Sequence, residues 1–291
     1  MADRRRINGP VGATLPPVFL SDESAQAKAF VTQRSRPANT TRRIYLQTGI
    51  TPSASGSAYL EVASAGPSGA SGLKLSCTVH GPRALPRSTP FSPHIILSTH
   101  VKYAPFATKQ RRGYLRDSTE RDLSIHLETA LRGVIIADRW PKSGVDIIIS
   151  VLEGDQDRAV PQDQDEEIWG MMNVLAGCVT VASAALADAG IDCVDTVTGG
   201  VAAVVADKSA EENAATIVLD PVPSDHEQIL AACCIAYLPT RDEVTNLWFK
   251  GDLPASDTTQ YTQLVEQAIQ ASRHANRVLA GSLKETIARD G

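Results

Sequence analysis

The chain has 291 residues, is 43% hydrophobic and carries a formal net charge of −5, enough apolar content for one large domain or two small lobes with a core well above marginal size. No apolar run is read as reaching the roughly 18–20 residues of a membrane span, and Met1-Ala2-Asp3-Arg4-Arg5-Arg6 lacks a signal-peptide stretch, so an intracellular protein with no membrane partner is expected. The acidic balance argues against a protein that binds RNA alone over a wide face and leaves contact that is local or shared.

Residues 1–40 are rich in Arg, Pro, Ser and Thr without a sustained period and read as a mostly flexible N-terminal extension. Arg4-Arg5-Arg6 and Arg34, Arg36, Arg42 and Arg43 fit a solvated tail, or an arm that binds RNA or a partner. Residues 41–285 read as the folded domain. Its first part is a run of strands: residues 56–61 entered through a glycine turn, the alternating residues 73–80 stopping at Gly81-Pro82-Arg83, and residues 94–101. Asp117-Ser118-Thr119-Glu120 has capping-box spacing, and Leu123, Leu127, Ala130, Leu131, Val134 and Ile135 follow at helical intervals, predicting a helix of about five turns.

Residues 145–152 form the next predicted strand. Residues 153–167 hold seven acidic residues, one arginine and a proline with no apolar period, and read as an exposed acidic loop insertion. Residues 171–190 are almost wholly small and apolar, a helix that must be buried between sheet layers and capped by Gly190. Strands are expected at 196–206, 215–219, 229–237 and 244–249, then a helix over 256–285 with Leu264, Ala268, Ala271, Ala275 and Leu279 on one side. Runs of strands broken by single helices indicate an α+β layered domain rather than a βαβ repeat. Cys77, Cys178, Cys193, Cys233 and Cys234 show no Cys-x-x-Cys spacing and read as small buried thiols.

Four stretches in the right order carry a family resemblance: His80-Gly81-Pro82-Arg83, Val101-Lys102-Tyr103-Ala104-Pro105-Phe106, Ala184-Ala185-Leu186-Ala187-Asp188-Ala189-Gly190-Ile191 and Gly199-Gly200-Val201-Ala202-Ala203. Together they resemble the RNase PH family over residues 40–250. The resemblance implies an RNase PH-like α+β fold of mixed sheets with buried and flanking helices. It also implies assembly into six-membered rings around a pore, and degradation of RNA from its 3′ end with inorganic phosphate. In eukaryotes the ring of six different subunits belongs to the RNA exosome and is generally without phosphorolytic activity.

Phosphorolysis requires arginines that offset the charge of the incoming and scissile phosphates, and carboxylates that hold a metal or manage a proton. The family's phosphate-gripping Gly-Ser/Thr-Arg falls on Asn173-Val174-Leu175, and its Arg-Arg-Glu on Ser118-Thr119-Glu120. The paired acids fall on Asp220 and His226, with Asp225 adjacent. The resemblance is therefore to inert ring subunits, and it implies no enzyme activity, no metal and no cofactor. It implies as partners the other RNase PH-like exosome ring subunits, S1/KH-type cap subunits and an associated hydrolytic 3′–5′ exonuclease. It places the protein in the nucleus, nucleolus and cytoplasm. Arg83 and Arg87 on one loop, and Lys109, Arg111 and Arg112 on another, are the expected RNA contacts in the channel, or plain exposed loop charges. An active phosphate-dependent exoribonuclease or nucleotidyltransferase completed by a neighbour's groups, and an unrelated α+β enzyme, stand as the alternatives.

Overall fold

The computed structural model describes residues 34, 36–64, 72–108, 111–113, 115, 117–154, 164–206, 216–226, 228–251 and 258–290. In chain order its elements are β1 (Ile44–Thr48), β2 (Gly56–Val62), β3 (Leu73–Ala84), β4 (Ile96–Tyr103), α1 (Ser118–Arg132), β5 (Ser143–Glu153), α2 (Gln164–Asp188), β6 (Thr198–Ala206), β7 (Thr216–Leu219), β8 (Gln228–Leu238), β9 (Glu243–Gly251) and α3 (Thr258–Asp290). Short 3-10 turns lie at Ala137–Arg139 and Pro223–Asp225.

Two sheets result, ordered β1-β2-β3-β5-β4 and β7-β6-β8-β9. All pairings in them are antiparallel except β4 with β5, which α1 joins as a crossover. Alternation along β3 buries Leu73, Leu75, Cys77 and Val79 on one face. That face meets α2, whose other side meets β6 and β8. By length and composition Trp169–Asp188 would pass as a membrane span, which corrects the reading that no apolar run is long enough; nearly all of it is buried inside the protein. Burial of that helix between two sheets removes its apolar surface from water without a bilayer.

Close approach needs small residues. A Cβ on Gly199 would lie 2.3 Å from Ala176 Cα in α2, and one on Gly200 would lie 2.2 Å from Ala268 O in α3, so the adjacent glycines let helices seat on both faces of β6. Leu264, Ala268, Ala271, Ala275 and Leu279 are buried, as their spacing predicts. Cys77, Cys178, Cys233 and Cys234 are buried thiols; burial pushes Cys233 up to about 12, and burial with the Asp192 charge pushes the half-buried Cys193 up to about 11.

Several strand ends lie one or two residues from expectation, and four boundaries differ in ways that matter. Gly81-Pro82-Arg83 is not a turn: β3 runs on to Ala84 through a bulge, and pairing with β5 resumes at Arg83↔Gly144. Gly81 takes φ +135, which lets the strand shift register there without stopping. The first helix ends at Arg132 with Gly133 as its cap, and the apolar period continues into Val134 and Ile135 because they turn to bond the 192–194 segment, Val194 N donating to Val134 O at 2.8 Å. The buried helix begins at Gln164, so the last residues of the acidic stretch, 164–167, are its first turn. The closing helix extends to Asp290. Residues 155–163 of the acidic insertion and residues 1–33 of the extension lie outside the described residues.

Candidate functional site

The C-terminal end of β5 leads toward α2, and two of the three groups of positions to which the resemblance assigns phosphorolytic chemistry, 173–175 and 220–226, gather around that helix and the end of β7, while the third, 118–120, opens α1. Asn173, Val174 and Leu175 are buried in the third turn of α2. A helix N-terminus offers free N–H groups to an anion only within its first turn. The expected start at residue 171 would put residues 173–175 in the first turn, but the helix starts at Gln164 and leaves them no such terminus. Asn173 Nδ2 donates to Pro221 O at 2.6 Å, which brings this helix position against the loop that carries the acids.

Asp220 sits in that loop with φ +49, a left-handed conformation that a non-glycine residue holds only when its surroundings over-determine it. They do. Arg42 donates Nη2 to Oδ1 at 2.7 Å, and Nε and its backbone N to Oδ2 at 2.8 and 2.9 Å. Arg36 Nη1 adds a bond to Oδ2 at 3.2 Å, and its Nη2 lies 3.8 Å from Oδ2 of the buried Asp225. Arg34 spends its guanidinium on carbonyls, donating to Leu219 O at 2.9 Å, Thr40 O at 3.0 Å and Pro37 O at 3.1 Å. Leu219 N in turn donates to Ala38 O at 2.8 Å.

The electrostatics follow from this closure. Burial pushes the Asp220 carboxyl up, but the charge and hydrogen bonds of Arg42, with the charge of Arg36, outweigh it and hold the group well below the usual carboxylate range. Burial, then the neighbouring Arg36 charge, lower the Arg34 guanidinium to about 10. The acids do not fit a metal ion, because both Asp220 oxygens already accept from arginine. Among the described residues no group of three His, Cys, Asp or Glu side chains converges as metal ligands. Arg34 and Arg36, read as points on a flexible extension, are thus tied to the β7 end. Sequence reasoning missed this cluster; its one signal was a retained Asp220 together with three arginines lacking partners nearby in the chain.

At the start of α1 the capping box is present: Asp117 accepts from Ser118 N at 2.7 Å, and Glu120 accepts from Asp117 N at 3.2 Å. Glu120 is buried and also accepts from Lys102 Nζ and Tyr103 N, both at 3.0 Å. Its structural partners account for its position.

The two basic loops are not brought together. Arg83 lies within the end of β3, paired with Gly144, and Arg87 follows that end, whereas Arg111 and Arg112 follow the end of β4 that pairs with Val151. Seven residue steps along β4, from Ile96 to Tyr103, separate those ends by about 23 Å. Arg83 is paired with Asp146 and still largely exposed, and Arg87 and Arg111 are exposed. Arg112 is engaged: its guanidinium lies 4.4 Å from the Tyr103 ring centre, Nη1 donates to Thr119 at 3.2 Å, and Asp117 is 3.7 Å away. Lys109 lies outside the described residues.

Comparison with known proteins identifies the family and the fold. The 3′ exoribonuclease family, domain 1 (RNase PH) matches residues 40–192. The chain is 71% identical over 287 residues, 99% of its own length and 100% of the relative's, to the exosome complex component MTR3 of Chaetomium thermophilum. It is 27% identical over 301 residues, 99% and 97% of the two lengths, to the exosome complex component MTR3 of Homo sapiens. These agree with the resemblance of residues 48–61 and the acidic insertion to the mRNA transport regulator type of ring subunit. The crystal structure of rice Rrp46 superposes with a TM-score of 0.65 over 86% of this chain and 98% of that one, at 16% identity, and shows the shared fold. A mixed-sheet core around one buried helix, with acids at the end of β7 and a family match over more than half its length, places this chain in the RNase PH family of 3′ exoribonucleases.

Proposed function

We propose that this chain is a ring subunit of the RNA exosome that completes the ring and lines the RNA path, without phosphorolytic activity of its own. The observation that carries this reading is the chemistry at the counterpart positions. Where a phosphate grip needs a glycine turn, a hydroxyl and an arginine, there is an asparagine, a valine and a leucine buried in mid-helix. The acid that remains is neutralised by Arg36 and Arg42. Loss of even one transition-state donor commonly costs about a hundredfold or more in rate.

A catalytically silent subunit still has a role, because a closed ring requires every position to be filled. Its neighbours are other RNase PH-like subunits, with S1/KH-type caps above and a hydrolytic 3′–5′ exonuclease receiving the RNA. The setting is RNA processing and decay in nucleus, nucleolus and cytoplasm. Arg83, Arg87, Lys109, Arg111 and Arg112 guide the phosphate backbone without reading sequence.

The test is reconstitution. A ring assembled with this chain threads RNA to its exonuclease, a ring without it fails to close, and the isolated chain leaves RNA intact with or without added phosphate. Phosphate-dependent decay by the isolated chain overturns the proposal.

A further inference from the structure

Three phenylalanines lie among the described residues, and they divide sharply. Phe249 packs on Tyr261, with ring centres 5.3 Å apart. Phe91 and Phe106 are 72% and 74% exposed. Each of these two sits on one of the basic loops: Phe91 four residues after Arg87, and Phe106 five residues before Arg111.

Both rings are presented on fixed backbone. Around Phe91, Thr89 N donates to Pro86 O, Ile95 N to Ala137 O and Lys142 N to Ser92 O, each at 3.0 Å. Pro86, Pro90 and Pro93 restrict the same loop further. Around Phe106, Ala107 N donates to Ala104 O at 2.9 Å, Gly154 N to Ala107 O at 2.9 Å and Arg112 N to Pro105 O at 3.3 Å. An aromatic ring held toward solvent by a rigid turn is pre-organised to bind, since little further entropy is lost on contact.

Resting on the reading of these loops as RNA-facing, we infer that Phe91 and Phe106 are stacking platforms for the bases of single-stranded RNA. The neighbouring arginines hold the backbone. Aromatic stacking combined with a positive track is the means by which proteins bind single strands without sequence preference, because every base has a π-face. Charge on the same loops favours RNA over a protein neighbour, since the cores of protein interfaces are depleted in charged residues. With the loops about 23 Å apart along β4, the two rings engage different stretches of one strand.

The experiment uses the assembled ring and two probes of equal length, a single-stranded RNA and the same strand with abasic sugars through its central stretch. Phe91→Ala and Phe106→Ala each weaken binding of the RNA about tenfold and leave the abasic strand unchanged, while Phe→Trp at either position restores affinity. Arg87→Glu and Arg111→Glu weaken both strands. Equal loss on both strands, no loss on either, or failure of the alanine variants to enter the ring overturns the stacking role; the last result assigns the rings to a subunit contact. If the arginine variants also leave both strands unaffected, the RNA-facing reading of the loops fails as well, whereas loss with the arginine variants alone leaves that reading standing.

Discussion

Arg42 and Asp220 are 178 residues apart in the chain, yet the guanidinium of one meets both carboxylate oxygens of the other, at 2.7 and 2.8 Å. The Arg42 side chain is 2% exposed and that of Asp220 16%, so the pair lies where solvent screens it little. It fastens the entry of the domain to the turn after β7.

Removing one partner leaves the other charged and buried. Arg42→Met is expected to destabilise the folded chain by about 3–5 kcal/mol, read from the urea midpoint at constant slope. A loss below about 1 kcal/mol would show that water or Arg36 replaces the contact.

The same pair makes stability depend on acid. An unfolded aspartate titrates near about 3.9, and Asp220 in the fold titrates lower, so its contribution is complete above that value. It is lost progressively as pH falls toward the lowered folded value. Wild type therefore shows steeper loss of stability below about pH 4 than Asp220→Asn, whose curve is flatter and lies lower at neutral pH. Parallel curves for the two proteins would contradict the assignment.

Arg111 and Arg112 are adjacent, but they answer to different tests. Arg112→Glu breaks the contact with Tyr103 and sets a carboxylate beside Asp117, for an expected loss of about 2 kcal/mol in thermal or urea unfolding. Arg111→Glu changes stability by less than about 0.5 kcal/mol while lowering the salt-dependent RNA affinity of the assembled ring.

Rebuilding the phosphate motif in place is expected to fail. Asn173→Gly, Val174→Ser and Leu175→Arg together put a glycine and a guanidinium into the buried third turn of α2. The triple variant shows no phosphate-dependent RNA decay and a large fall in unfolding midpoint, by both the helix cost of glycine and the desolvation of arginine. Activity in that variant would mean that the local backbone, and not these side chains alone, still suits phosphate.

The layers were legible from short-range pattern. Alternation marks β2, β3 and β5, the apolar stretch marks α2, and Leu264 to Leu279 mark the inner side of α3, because burial imposes periods of 2 and 3.6 that survive in composition. The start of α2 was obscured because Asp165-Glu166-Glu167 looks like a solvated loop, although acidic residues also favour a helix N-terminus. The separation of the two basic loops was not legible: it depends on β4 pairing parallel with β5, a relation set across α1 and not within either strand. The arginine cluster was hidden for a similar reason, since nothing local in residues 34–42 points to a turn near residue 220.

One consequence follows from the apolar helix shared by both sheets. Gly177 in α2 lies against Leu73 and Leu75, while Ala176, one residue earlier, lies against Gly199. Were one sheet to peel away, the flank of α2 it shelters would be left wet, and the opposite sheet would lose the rigid wall on which it rests. The described body should therefore melt as a single cooperative block, with calorimetric and van't Hoff enthalpies in agreement, and a larger assembly would receive it either whole or not at all.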